Sequence, residues 1–226
     1  FPPKGNTFSE AAALALLGQG ESALRELVSA GLVETLNGER YALHQTIHDL
    51  AALRPPGEAA VQRWIQYWQS FLRKYQMDFV AQAAEHENIE AALGAARARA
   101  APEFPNLACL RYLYRKDAGL LPVAERQLEE ALDVARAHSD AWSEARVLLN
   151  LGNIARNARN DLAGAERRVR RALELIRTTP DSDMQTNIAS ALCIILLYQD
   201  RPDEAWSIIE EAVVLLDQLS PAMGCE

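Results

Sequence analysis

The stretch Gly31–Ala51, GLVETLNGERYALHQTIHDLA, decides how the chain is read. Leu32-Val33-Glu34-Thr35 and Arg40-Tyr41-Ala42-Leu43 alternate apolar with polar residues, the period of a strand with one buried face. Between them stands Asn37-Gly38, a pair suited to the positive φ angles of a tight hairpin turn. After Leu43-His44-Gln45 the spacing becomes helical, with Ile47, Leu50 and Ala51 on one stripe. Upstream, Glu21 to Ala30 places Leu24, Leu27 and Val28 at i, i+3, i+4, and Gly31 supplies the stop. The predicted order is helix, hairpin, helix, with His44 near the strand-to-helix junction. Phe8 and Ala11 to Leu17 read as an earlier helix.

Composition bounds the rest. With 226 residues, 49% of them hydrophobic, the chain can bury a sizeable core, and 24% charged residues without low-complexity tracts argue against disorder. The net charge is −8, and residues 1–57 carry only Lys4, Arg25, Arg40 and Arg54 against six acids, a poor counterpart for phosphate backbones. Nucleic acid is therefore not an expected partner. Cys109, Cys193 and Cys225 lie far apart and are odd in number, as expected of a reducing compartment rather than a disulfide framework. No apolar run approaches the roughly 20 residues that span a bilayer, and no signal segment opens the chain, so a cytoplasmic location without membrane association is expected. The first residue is Phe and no GxxxxGK[ST] phosphate loop occurs, from which a fragment of a longer protein is expected.

Tyr41-Ala42-Leu43-His44-Gln45 resembles a motif in the winged-helix domain of STAND ATPases, the class that includes NB-ARC receptors, apoptosome scaffolds and large bacterial regulators. The family often has an aromatic, an apolar residue, His and Asp; here Gln45 stands at the Asp position. The run Phe1-Pro2-Pro3-Lys4-Gly5-Asn6-Thr7-Phe8 also looks like the start of such a domain. The resemblance implies that His44 contacts the β-phosphate of ADP and holds a closed state. It also implies an upstream nucleotide-binding domain in cis, with ADP or ATP and Mg bound in the full-length protein and no cofactor in this fragment. On this reading residues 1–54 form a winged-helix domain with a small β-hairpin.

Pro55-Pro56-Gly57 then breaks the chain. Residues 58–101 read as a helical arm, in which Val61, Trp64, Ile65, Trp68, Leu72, Tyr75 and Phe79 form one stripe, widened by Tyr67 and Phe71. A second arm helix, Ala84 to Arg99, carries Ile89, Ala92, Leu93 and Ala96 on one face. Its run Glu87-Asn88-Ile89-Glu90-Ala91-Ala92-Leu93 is similar to one that follows the winged helix in bacterial STAND regulators.

Beyond Pro102 the sequence repeats. Aligning Ala124, Ala165 and Ala205 also superimposes Leu107/Leu148/Ile188, Leu113/Ile154/Ile194, Leu128/Val169/Ile209, Ala131/Ala172/Ala212 and Leu132/Leu173/Val213. The period of about 40 residues predicts pairs of antiparallel helices over 103–138, 140–178 and 182–219. These units resemble tetratricopeptide repeats, and the expected class is mostly α: winged helix, helical arm and tetratricopeptide-like α-solenoid. More repeats are expected outside the chain.

In the middle unit Arg146, Asn150, Asn153 and Asn157 share a helix face opposite Leu148, Leu151 and Ala155. Amides that donate and accept, beside a guanidinium fork, suit a peptide backbone, a C-terminal acid or a small polar ligand in a concave groove. The matching positions are Tyr112 and Lys116 before it and Ser190 and Cys193 after it. HQTIH, His44 to His48, imitates a zinc-protease motif without the Glu that would act as base, so neither metal binding nor catalysis is expected. Arg167, Arg168, Arg170 and Arg171 could attract an acidic partner, but with Glu166 and Glu174 in reach of Arg170 they are expected to pair within the chain or to form a solvated face. The functional expectation is a non-enzymatic regulatory and sensor fragment of a signalling NTPase, its repeats binding a protein, peptide or small molecule. A passive repeat scaffold is the alternative, and a winged-helix transcriptional regulator a weaker one.

Overall fold

The computed structural model describes residues 7–18, 21–36, 40–53, 56–177, 179 and 181–219, with the side chains of all of these except 45, 51, 52 and 214–219. Among them the chain is mostly helical with a small three-stranded antiparallel sheet, and it divides into two compact units, one ending at Asp117 and one beginning at Ala118.

The first unit opens with β1 (Thr7–Ser9), α1 (Glu10–Leu17), α2 (Glu21–Ser29), β2 (Val33–Leu36), β3 (Arg40–Leu43) and α3 (Gln45–Ala52). Strands β2 and β3 pair antiparallel with Thr35 opposite Tyr41, as the alternation predicts. Asn37 and Gly38, expected at the turn, lie outside the described residues, as do Phe1 to Asn6. The third strand was not expected. Phe8 belongs to β1 and pairs with Tyr41 of β3, their rings 6.1 Å apart. The helix cannot include it, because Ser9 is the N-cap and its hydroxyl accepts from the Ala12 N–H at 3.2 Å.

Helix α1 ends at Gly18, whose φ of +62° lets its N–H return to the Leu14 carbonyl at 3.0 Å. Arg63 of α4 (Glu58–Lys74) then donates to the Leu16 carbonyl from Nη2 at 2.9 Å. A Cβ at Gly18 would come within 2.8 Å of Arg63 Nε, so a side chain here would have to displace that guanidinium.

Helix α4 carries the predicted aromatic stripe, and Trp68 is its fully buried centre, edge-on to Trp64, Tyr67 and Phe71 at 5.0–5.4 Å. The helix stops at Lys74, however, and Phe79 opens a separate short helix, α5 (Phe79–Ala84). Asp78 causes the restart by accepting from the Ala81 N–H at 2.9 Å. The helix expected from Ala84 is α6 (His86–Ala98), followed by α7 (Phe104–Asp117). Helix α4 packs against α1, α6 and α7.

The second unit holds α8 (Leu121–Ala137), α9 (Ala141–Ala158), α10 (Leu162–Ile176), α11 (Ser182–Tyr198) and α12 (Pro202–Leu219). Each packs on the next, and α11 also reaches α9. Of the helices in the range 103–138, α7 packs on α4 and α6 of the first unit, whereas α8 packs on α9. Helix starts repeat a single device: Asp140, Asp161 and Asp181 accept from the N–H groups of Ser143, Gly164 and Met184 at 3.0, 2.8 and 2.9 Å. Ala131, Ala172, Leu128 and Val169, all aligned positions, are fully buried.

The tightest crossing is at Gly152 of α9, where an added Cβ would lie 2.6 Å from the Val169 Cγ2 of α10. A buried valine in a helix has one good rotamer and cannot swing away. Gly152→Ala should therefore destabilise the chain by about 1 kcal/mol in urea unfolding, the overpacking outweighing the gain in helix propensity.

Candidate functional site

In the first unit His44 is exposed in the link between β3 and α3. Its Nδ1 accepts from the Thr46 N–H at 3.3 Å, so the imidazole acts as a cap for α3. Accepting at Nδ1 leaves the proton of a neutral ring on Nε2. His44 thus offers one outward N–H donor on a ring already oriented by the backbone. His48 Nδ1 lies 3.6 Å from Asp49 Oδ1.

Behind this junction, Arg40 of β3 ties the sheet to the arm. Its Nε donates to Thr7 Oγ1 at 2.7 Å, Nη2 to the Thr7 carbonyl at 2.9 Å, and Nη1 to Glu85 Oε1 at 2.5 Å. Asn88, fully buried, donates to the Thr7 carbonyl at 3.0 Å and to Glu85 Oε2 at 2.7 Å. Asn88 and Glu90 are polar members of the run Glu87–Leu93, and Glu90 has its own task. It accepts from Arg115 Nη2 at 2.7 and 2.9 Å and lies 3.5 Å from Arg111 Nε. Arg111 is wholly buried, with Nη1 donating to Gln82 Oε1 at 2.7 Å, Nη2 2.8 Å from His86 Nδ1, and its guanidinium 3.6 Å from the centre of the Tyr114 ring. Burial lowers the Arg111 pKa to about 10 against the opposing pull of Glu90, and the group still carries its charge at neutral pH.

In the second unit Trp142 Nε1 donates to Asp181 Oδ2 at 2.8 Å, and the Arg146 guanidinium stands 5.3 Å from the Trp142 ring centre. The Asp181 carboxyl is held below its ordinary pKa, first by the Met184 backbone N–H and then by Trp142. Further along α9, Asn150 and Asn153 are half-buried, and their side chains make no hydrogen bond among the described residues. Asn157 is exposed and accepts from Arg156 Nε at 3.1 Å. On α11, Ser190 is exposed, while Cys193 is buried, donates its thiol to the Ala205 carbonyl at 3.4 Å, and has its pKa raised by that burial. The other two expected groove residues belong to the first unit: Tyr112 is 5% exposed, packed in the interior, and Lys116 is exposed. The basic run is largely engaged, with Arg170 on Glu166 and Glu204 at 2.8 and 3.2 Å and Arg171 on Glu174 at 3.1 Å.

No family model matches the chain, and no curated protein matches it. Among solved structures it is similar to BtubC (BKLC) from P. vanneervenii, with a TM-score of 0.59 and 16% identity over 96% of this chain and 82% of that one. At such identity the likeness is one of fold alone.

The polar cluster of Arg40, Gln82, Glu85, Arg111 and Arg115 escaped the sequence reading. Its one signal is Arg111 set among apolar residues in Leu107–Tyr114, a place where a solvated arginine is out of pattern. Removing its countercharge by Glu90→Gln leaves the wholly buried Arg111 guanidinium without that carboxylate and should cost about 3 kcal/mol in urea unfolding. In the second unit Trp142→Phe deletes a donor and should raise the Asp181 pKa in an NMR titration. A depressed carboxylate stabilises the fold above the ordinary carboxylate range and loses that contribution as pH falls through its folded value. The variant should therefore lose stability near neutral pH and show a shallower acid dependence.

Proposed function

We propose that this chain is the regulatory and sensor part of a STAND-type signalling NTPase. In this reading β1 to α3 act as a winged helix that closes over a nucleotide domain elsewhere in the protein, and the helical pairs of the second unit act as tetratricopeptide-like repeats. The observation that carries it is His44: exposed, at the strand-to-helix junction, with Nδ1 engaged by Thr46 and a donor left at Nε2. A neutral imidazole N–H of this kind suits a phosphate oxygen of ADP. Arg40, Glu85 and Asn88 support the reading, since they couple the sheet to the arm rigidly enough for a pull on the arm to reach the junction. The sensing face is that of α9 and α11, where Asn150, Asn153 and Ser190 have polar groups to offer a peptide or a small polar ligand. Such a ligand acts as a switch only by binding the open state more tightly than the closed one.

A second reading, a passive scaffold that binds proteins through its repeats, is favoured by the use of His44 as a helix cap. One experiment separates the two. In protein containing the nucleotide domain, His44→Ala should lose bound ADP and assemble spontaneously, as followed by nucleotide content and sedimentation. Unchanged ADP and size would leave the scaffold, whose binding should instead fail in Asn150→Ala/Asn153→Ala.

A further inference from the structure

Helices α1, α4 and α6 of the first unit leave a groove between them beside the start of α4. Its walls include Leu16 and Leu17 of α1, Ala60 and Val61 of α4, and Ala91 and Ala95 of α6, and its volume is about 630 Å³. Side chains such as Trp68 and Ile89 fill the interior of this layer, whereas the small Ala60, Ala91 and Ala95 leave space unfilled. Roughly 300–1,000 Å³ is the size of sites that take small molecules.

Leu16, Leu17 and Trp64 also border a second space, a cavity of about 70 Å³ whose other walls include Leu24 and Leu27 of α2, Val33 of β2 and Leu43 of β3. Every side chain lining this cavity is apolar or aromatic, so water gains no hydrogen bonds there. Leu16 and Leu17 are half-buried, and the space behind them lets this wall of the groove yield to a bulky apolar guest.

Arg63 supplies a charge beside this apolar volume. It lines the groove and is half-buried. Its Nε and Nη2 both donate to the Leu16 carbonyl, at 3.2 and 2.9 Å, which fixes the plane of the guanidinium. Among the described residues Nη1 makes no hydrogen bond and Arg63 forms no ion pair. Arg99, which also lines the groove, is already engaged: Nε donates to Glu58 Oε2 at 3.3 Å and Nη1 to the Ala95 carbonyl at 3.2 Å. One uncompensated positive charge therefore stands against an apolar surface. A guanidinium partly withdrawn from water favours an anion, and a single free charge favours a monoanion such as a carboxylate.

We infer that this groove binds a small amphiphilic monocarboxylate, its carboxylate on Arg63 Nη1 and its apolar body against Ala60, Ala91 and Ala95. All the walls named belong to the first unit. This inference is independent of the nucleotide-switch reading.

The test titrates the whole chain with decanoate and with decanol by isothermal calorimetry. Decanoate should bind at least about tenfold more tightly than decanol, the difference made by a charge-assisted hydrogen bond. Arg63→Gln keeps a donor for the Leu16 carbonyl but removes the charge, so it should weaken decanoate by about tenfold or more and abolish its preference over decanol. Ala60→Leu/Ala95→Leu fills the groove with good helix formers at half-buried positions, leaves Arg63 in place, and should weaken both ligands by about tenfold or more. Circular dichroism should be unchanged in both variants. The inference fails if decanoate does not bind, if decanol binds as tightly, if Arg63→Gln retains the preference, or if the groove-filled chain binds decanoate as well as wild type.

Discussion

A guanidinium with no solvent is the constraint on which the first unit depends. Arg111 lies inside the helical layer, and a charge there is tolerable only when nearly every donor meets an acceptor or a π face. Gln82, His86, Glu90 and Tyr114 supply those partners from α5, α6 and α7. Their positions are consequently linked: α5 must break from α4 to present Gln82, and Gln82 in turn donates to the Tyr75 and Gln76 carbonyls that the break exposes. The apolar side of the same layer is less particular. Trp68 and its neighbours gain by burial wherever they meet, so they provide cohesion, while the polar cluster selects one register of the helices.

The second unit is organised differently. Its cohesion comes from small and branched residues at repeated positions, Ala131, Ala172, Leu128 and Val169. The close approach at Gly152 shows how little room is left between α9 and α10. Ion pairs between successive second helices lie at the surface and contribute little to stability. Because acid-rich α8 and α12 flank base-rich α10, these pairs nonetheless help specify neighbours, a like-charged helix being disfavoured there.

Much of the fold was legible in the sequence because it rests on local periodicity. The hairpin strands, α1, α2 and α4 and the alternating helices after Pro102 follow from spacing and stop signals within a few residues. The errors fall where a cap outweighed periodicity. Ser9 and Asp78 accept backbone N–H groups and restart the helix, so Phe8 went to a strand and Phe79 to a new helix, although both fit the apolar stripe of the neighbouring segment. The junction position of His44 and the shared helix of Arg146, Asn150 and Asn153 follow from local spacing, whereas the burial of Tyr112 in the first unit does not.

By itself the sequence determined which segments are helices and strands, their amphipathic faces, the repeat of about 40 residues and the junction position of His44, because each is a property of neighbours along the chain. Tertiary structure alone decided that Thr7–Ser9 joins the sheet, that Arg40, Glu85 and Asn88 meet, and that Arg111 is buried with Glu90 beside it. It also decided that α7 packs with α4 and α6. Those outcomes depend on partners distant in sequence, and hydrogen bonding and desolvation are satisfied in space, where periodicity carries no information.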